Sequence, residues 1–146
     1  MANAVKAIPD GFSTITSYFT VSDAERYLEF LMKAFGAKVN FRSNGPDGRL
    51  MHGEVQIGTS KLMLGQAREP WKPMPCNIYM YVEDCDSVYQ SAVAAGAKSI
   101  MEPTDQFYGD RHGGVTDAEG TNWWIATHIE DVPEAEIEKR AKAARH

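Results

Sequence analysis

Two stretches of this chain say nearly the same thing. "VSDAERYLEFLMKAFGAKV" and "VEDCDSVYQSAVAAGAKSI" each carry one helical apolar face and each close with Gly-Ala-Lys before a strand-like run. In the first, Ala24, Tyr27, Leu28, Leu31 and Phe35 make the face, and Gly36 supplies the stop. Ser22 followed by Glu25 predicts a capping box at its start. In the second, Cys85, Val88, Tyr89, Ala92 and Ala95 recur at the same spacing, and the stop is Gly96. The strands repeat too. "STITSYFTV" precedes the first helix and "CNIYMYV" the second. "KVNFR", "LMHGEVQI" and "KLMLG" follow the first; "SIMEP", "DRHGGVTD" and "NWWIATH" follow the second. Each half therefore reads β-α-β-β-β, offset by about sixty residues, which is too long for a solenoid unit. The chain is expected to be α+β: two modules, about 13–65 and 76–128, each a small sheet backed by one helix, within one domain spanning 1–146.

Between the modules runs "QAREPWKPMP", where Pro70, Pro73 and Pro75 predict a stiff, unpaired connection. Residues 133–146 can form a helix, but a mostly polar one that lies on the surface. A net charge of -5 with no Lys/Arg cluster argues against nucleic acid as a partner. No apolar run has the length of a membrane span, and the start lacks a signal-peptide layout, so a cytoplasmic protein is expected. Cys76 and Cys85 form no CxxC and no zinc signature, and read as two reduced thiols.

Alternation along each strand separates a face that must meet its helix from one that stays open. Phe19 and Val21 go to the helix side, leaving Thr16, Tyr18 and Thr20. Met51, Val55 and Ile57 leave His52, Glu54 and Gln56. Leu62 and Leu64 leave Lys61 and Met63; Ile78, Met80 and Val82 leave Asn77, Tyr79 and Tyr81. In the last strand Trp123 and Ile125 pack inward, and Trp124 joins the open face. "FYGDR" adds Tyr108, Asp110 and Arg111 on the loop before the third strand of the second module. Arg111 can clamp a carboxylate or phosphate, or bind a carboxylate of the chain itself. Asp117 and Gly120 read as turn chemistry.

The paired modules, the chain length, and the Asp117-x-x-Gly120-x-x-Trp123 pattern in the last hairpin together resemble the glyoxalase, bleomycin-resistance and extradiol-dioxygenase (vicinal oxygen chelate) superfamily. "FYGDRHGGVTDAEGTNWWIATHIEDV" looks most like its PhnB-like branch, and the resemblance covers roughly residues 12–132. It implies a homodimer with a cup-shaped cavity, and in metal-dependent relatives one ligand from each of four strands. Those four places fall here on Thr16, Met63, Asn77 and Trp124. Threonine and asparagine are weak ligands, methionine is soft, and tryptophan is none, so no metal is expected there. A displaced site of His52, Glu54 and His112 stays open as the candidate for catalysis, with a divalent metal or by metal-free acid–base chemistry. The cup residues Tyr18, Met63, Asn77, Tyr79, Tyr81 and Trp124, with Tyr108 and Arg111 at the loop, suit a flat or aromatic small molecule. Two functions follow. The favoured one is a small-molecule-binding protein without a cofactor. The other is a metal-dependent lyase, isomerase or dioxygenase of the same superfamily.

Overall fold

The computed structural model describes residues 4–145. Strands β1 (Ser17–Val21), β2 (Lys38–Asn44), β3 (Leu50–Ile57) and β4 (Ser60–Gln66) form one sheet in the order β1-β4-β3-β2, with helix α1 (Ala24–Phe35) following β1. A second sheet runs β5-β8-β7-β6, from β5 (Asn77–Tyr81), β6 (Lys98–Asp105), β7 (Asp110–Thr116) and β8 (Asn122–His128), with α2 (Cys85–Ala94) following β5. In both, the first strand pairs parallel with the fourth and the other pairs are antiparallel. The two β-α-β-β-β modules read from the repeat are both present, and the fold is α+β. The chain divides into two units, one ending at Met74 and one beginning at Pro75, with Lys33–Phe35 grouped with the second. No helix of the described residues is long and apolar enough to cross a membrane.

The helix starts correct one expectation. Asp23, not Ser22, caps α1, its carboxylate accepting from the Arg26 amide. Asp84 does the same for α2 through Ser87. A carboxylate presents two strong acceptors to the unsatisfied first-turn amides and also favours the positive end of the helix. Glu25, expected to close a capping box, instead pairs with Arg42. At the other end Gly36 takes φ 66, where a side chain would be strained, and its amide and that of Ala37 reach back to Met32 and Leu31.

The expected alternation holds in β1, β4, β5 and β8. Phe19, Val21, Leu62 and Leu64 are buried in the first unit with Leu28 and Leu31 of α1, and the Phe19 ring lies 5.7 Å from Tyr27. Val115, Trp123 and Ile125 are buried in the second, with Cys85 and Ala92 of α2. The exception is β3. Leu50, not Met51, is the buried residue, because Ser43 pairs with His52 and Asn44 with Leu50. Met51 is the extra residue of a β-bulge, which shifts the parity by one and turns Met51 to the open face.

The polar tail forms α3 (Glu134–Ala144), none of whose side chains is buried. Arg140 fastens it, donating to Glu130, to Glu136 and to the Phe107 carbonyl. The inter-module segment is not unpaired as expected: it bridges Arg68 to Trp71 and Met74 to Thr20.

Candidate functional site

Strand register brings the open-face residues into rows. In the first unit Tyr18 lies beside Met63 and Met63 beside Glu54; the next row is Thr20, Gly65 and His52. The second unit repeats the rows as Tyr79, Trp124, Gly114 and as Tyr81, Ala126, His112. His52 and His112 thus occupy equivalent places, each with a tyrosine ring 5.7 Å away, Tyr18 or Tyr79.

In the first unit Tyr18 and the row of Thr20, Gly65 and His52 floor a cavity of about 720 Å³, within the range of small-molecule sites. Tyr18 and Thr20 come from β1, Met51 and His52 from β3, Gly65 and Gln66 from β4. Ser43 and Asn44 supply one edge, and Arg68 and Trp71 of the inter-module segment another. The Tyr18 hydroxyl sits 3.2 Å from His52 Nδ1. Gly65 makes room for it, since a Cβ there would lie 2.5 Å from that oxygen. Gly65→Ala should therefore move the Tyr18 ring, the far end of a side chain able to yield, and separate it from His52. The ring resonances of both should shift, while stability should fall by less than about 1 kcal/mol. Unchanged rings would contradict the geometry. Gln66 is already engaged, accepting from the Ala24 amide and donating to the Ser22 carbonyl. Met63 and Glu54 stay on the open face, next to the cavity lining rather than in it.

The second unit gathers a different cluster. Asp110 is not in a loop but opens β7, and it is 3% exposed. It accepts from the Tyr79 and Tyr81 hydroxyls at 2.7 and 2.9 Å and lies 2.9 Å from His128 Nδ1. His128 Nε2 in turn lies 2.7 Å from Asp131. Burial works to raise the Asp110 pKa, but the bonds from His128, Tyr79 and Tyr81 outweigh it and hold the carboxyl below its usual range. The bonds to Asp110 and Asp131 push His128 up. Burial, with the bond to Asp110, raises the Tyr79 phenol; Tyr81 is raised by that bond first.

Beside this cluster His112 is 8% exposed, and its Nδ1 has no hydrogen-bond partner among the described residues. Desolvation lowers its pKa and so favours the neutral imidazole. The rings of Tyr79, Trp124 and Tyr108 surround it at 5.7, 5.9 and 6.2 Å. Trp124 lies over Gly114, where a Cβ would come within 2.5 Å of the indole, and its Nε1 donates to Asn77 Oδ1 at 2.8 Å. Arg111 is held by two carboxylates of the chain, Asp86 at 2.9 Å and Asp105 at 3.0 Å.

The four places that the resemblance marks for metal ligands carry poor donors. The Asn77 oxygen already accepts from the indole, Trp124 has no lone pair to give, and Thr16 and Met63 offer a weak and a soft donor. His52 and Glu54 stand on β3 of the first unit and His112 on β7 of the second. No group of three His, Cys, Asp or Glu among the described residues is arranged to hold a metal ion.

The rows on the two sheets were readable from alternation. Alternation does not mark Met51, Ser43, Asn44, Arg68 or Trp71 as cavity residues. The one local signal was Trp71, a large ring in an otherwise polar, proline-rich stretch.

Residues 12–125 match the model of the Glyoxalase/Bleomycin resistance protein/Dioxygenase superfamily. An uncharacterized protein of Mycobacterium bovis is 32% identical over 135 residues, covering 85% of this chain and 89% of that one. Among solved structures, TioX from Micromonospora sp. ML1 aligns with TM-score 0.70 at 24% identity, covering 80% of this chain and 99% of its own. The PhnB protein from Bacillus cereus aligns with TM-score 0.63 at 16% identity, covering 79% and 99%. At these identities the solved structures speak for the fold.

Proposed function

The chain belongs to the Glyoxalase/Bleomycin resistance protein/Dioxygenase superfamily, and from that premise we propose that it is a small-molecule-binding protein whose ligand occupies the cavity of the first unit. The observation that carries this reading is the cavity itself. It has about 720 Å³ on the open face of the sheet, with the Tyr18, His52 and Trp71 rings along its walls. Rings give contact area at low entropic cost, and the Thr20, Ser43 and Asn44 side chains offer polar groups to orient a guest. Trp71 is 65% exposed, which leaves its indole accessible to a guest at the cavity. The His112, Tyr79, Tyr108 and Trp124 cluster belongs to the second unit and takes no part in this proposal.

The test uses phenylnaphthylamine, a neutral planar fluorophore, titrated into the protein. Saturable binding to one site per chain is expected, weakened about fivefold or more in Trp71→Ala. Titration without saturation, or the same affinity in that variant, would remove the ligand from this cavity.

A further inference from the structure

The charge of the cavity narrows what it takes. The chain carries 20 acidic and 15 basic residues, yet no carboxylate lines this cavity, and Arg68 is the one lining residue with a permanent charge. Two other arginines of the same unit are tied down, Arg42 to Glu25 and Arg49 to Asp23. Among the described residues no carboxylate pairs with Arg68.

The segment bearing Arg68 is also anchored. The Arg68 amide donates to the Trp71 carbonyl at 2.8 Å, closing a tight loop, and the Met74 amide donates to the Thr20 carbonyl of β1 at 3.0 Å. One short loop therefore brings a planar cation and an indole to the same cavity. A guanidinium binds an oxyanion through two parallel N–H donors, and an indole face takes a flat ring. On the strand side the Tyr18 ring offers a second flat surface, and the Thr20 hydroxyl lies in the row that crosses Gly65. From this juxtaposition we propose that the ligand is a planar aromatic acid. Its ring lies against Trp71 and Tyr18, and its carboxylate, sulfonate or similar oxyanion is paired with Arg68. The inference rests on the cavity being the ligand site.

Anilinonaphthalene sulfonate differs from phenylnaphthylamine by its sulfonate alone, so the two probes separate the claims. Wild type should bind the sulfonate about tenfold more tightly than the neutral probe. Arg68→Met should abolish that preference while leaving the neutral probe within about twofold. Lys72→Met, a neighbouring charge outside the lining, should change neither affinity, and raising the salt concentration should erode only the sulfonate's advantage. Equal affinities in the wild type, or a preference that survives Arg68→Met, overturns the anionic ligand and leaves the cavity reading standing. If Trp71→Ala leaves the neutral probe unaffected, the cavity reading fails, and this inference fails with it.

Discussion

Trp123→Ala should destabilise the protein by about 3–5 kcal/mol, the range for losing a fully buried aromatic side chain. Trp123 is 1% exposed, and its ring packs 4.6 Å from Phe35. Removing it leaves a void that Phe35 and the flanking Val115 and Ile125 can only partly close. The indole N–H adds a second loss. It donates to Asp117 Oδ2 at 2.8 Å, while Asp117 Oδ1 accepts from the Glu119 and Thr121 amides. That carboxylate was expected to serve the turn alone; it also fastens the turn to the core ring beyond it. Trp123→Phe keeps most of the packing and drops this one bond, so it should cost less than half as much as Trp123→Ala. Urea denaturation of the two variants checks the order. Equal losses in both would mean that the hydrogen bond, not the packing, dominates.

Asp110→Ala should cost about 3 kcal/mol at neutral pH, since a buried carboxylate with three charge-assisted partners is lost. Its partners Tyr79, Tyr81 and His128 reach solvent and can turn to water, which keeps the loss from being larger. The Asp110 pKa is depressed below its ordinary 3.8, so its contribution is full above that value and is lost as pH falls through the folded pKa. The His128 pKa is raised above its ordinary 6.5, so its contribution is full below that value and is lost as pH rises through the folded pKa. Stability from the pair should therefore be greatest between the two ordinary values and fall on either side. Melting curves taken from below the first of these values to above the second should show both slopes in the wild type. His128→Asn should flatten the alkaline one, and Asp110→Ala should reduce both. Variant profiles that merely run parallel to the wild type would deny Asp110 this role.

Much of the architecture was legible because its signals are local and occur twice. Helical period, the stops at Gly36 and Gly96, and turn residues agree at both copies. The same alternation placed Trp123 in the core and Trp124 on the open face, as they stand. It misread β3, because a bulge at Met51 shifts the parity and is set by the pairing with β2, not by any residue of β3 alone. Ser22 and Asp23 both fit the capping rule, and only the backbone path selects Asp23 for α1.

The candidate site was half visible. Tyr18 and His52 followed from period, since a side chain's face depends on its own strand. Asp110 could be read as a loop residue until β5 set Tyr79 and Tyr81 against it and β8 set His128 beside it. Arg111 and Arg68 are alike as residues. One is taken up by Asp86 and Asp105, while the other lies on a cavity wall with no carboxylate partner among the described residues. The sequence around each arginine does not separate those outcomes, because Asp86 lies 25 residues from Arg111 and the cavity wall that Arg68 joins is built from four strands. Local patterning was enough to specify two sheets, their helices and the face each strand leaves open. The closing of a cavity by Arg68 and Trp71, and the choice of which charges neutralise one another, came from register and from a loop folding back on β1. Those contacts span long sequence separations, and their energies exist only once the chain is packed.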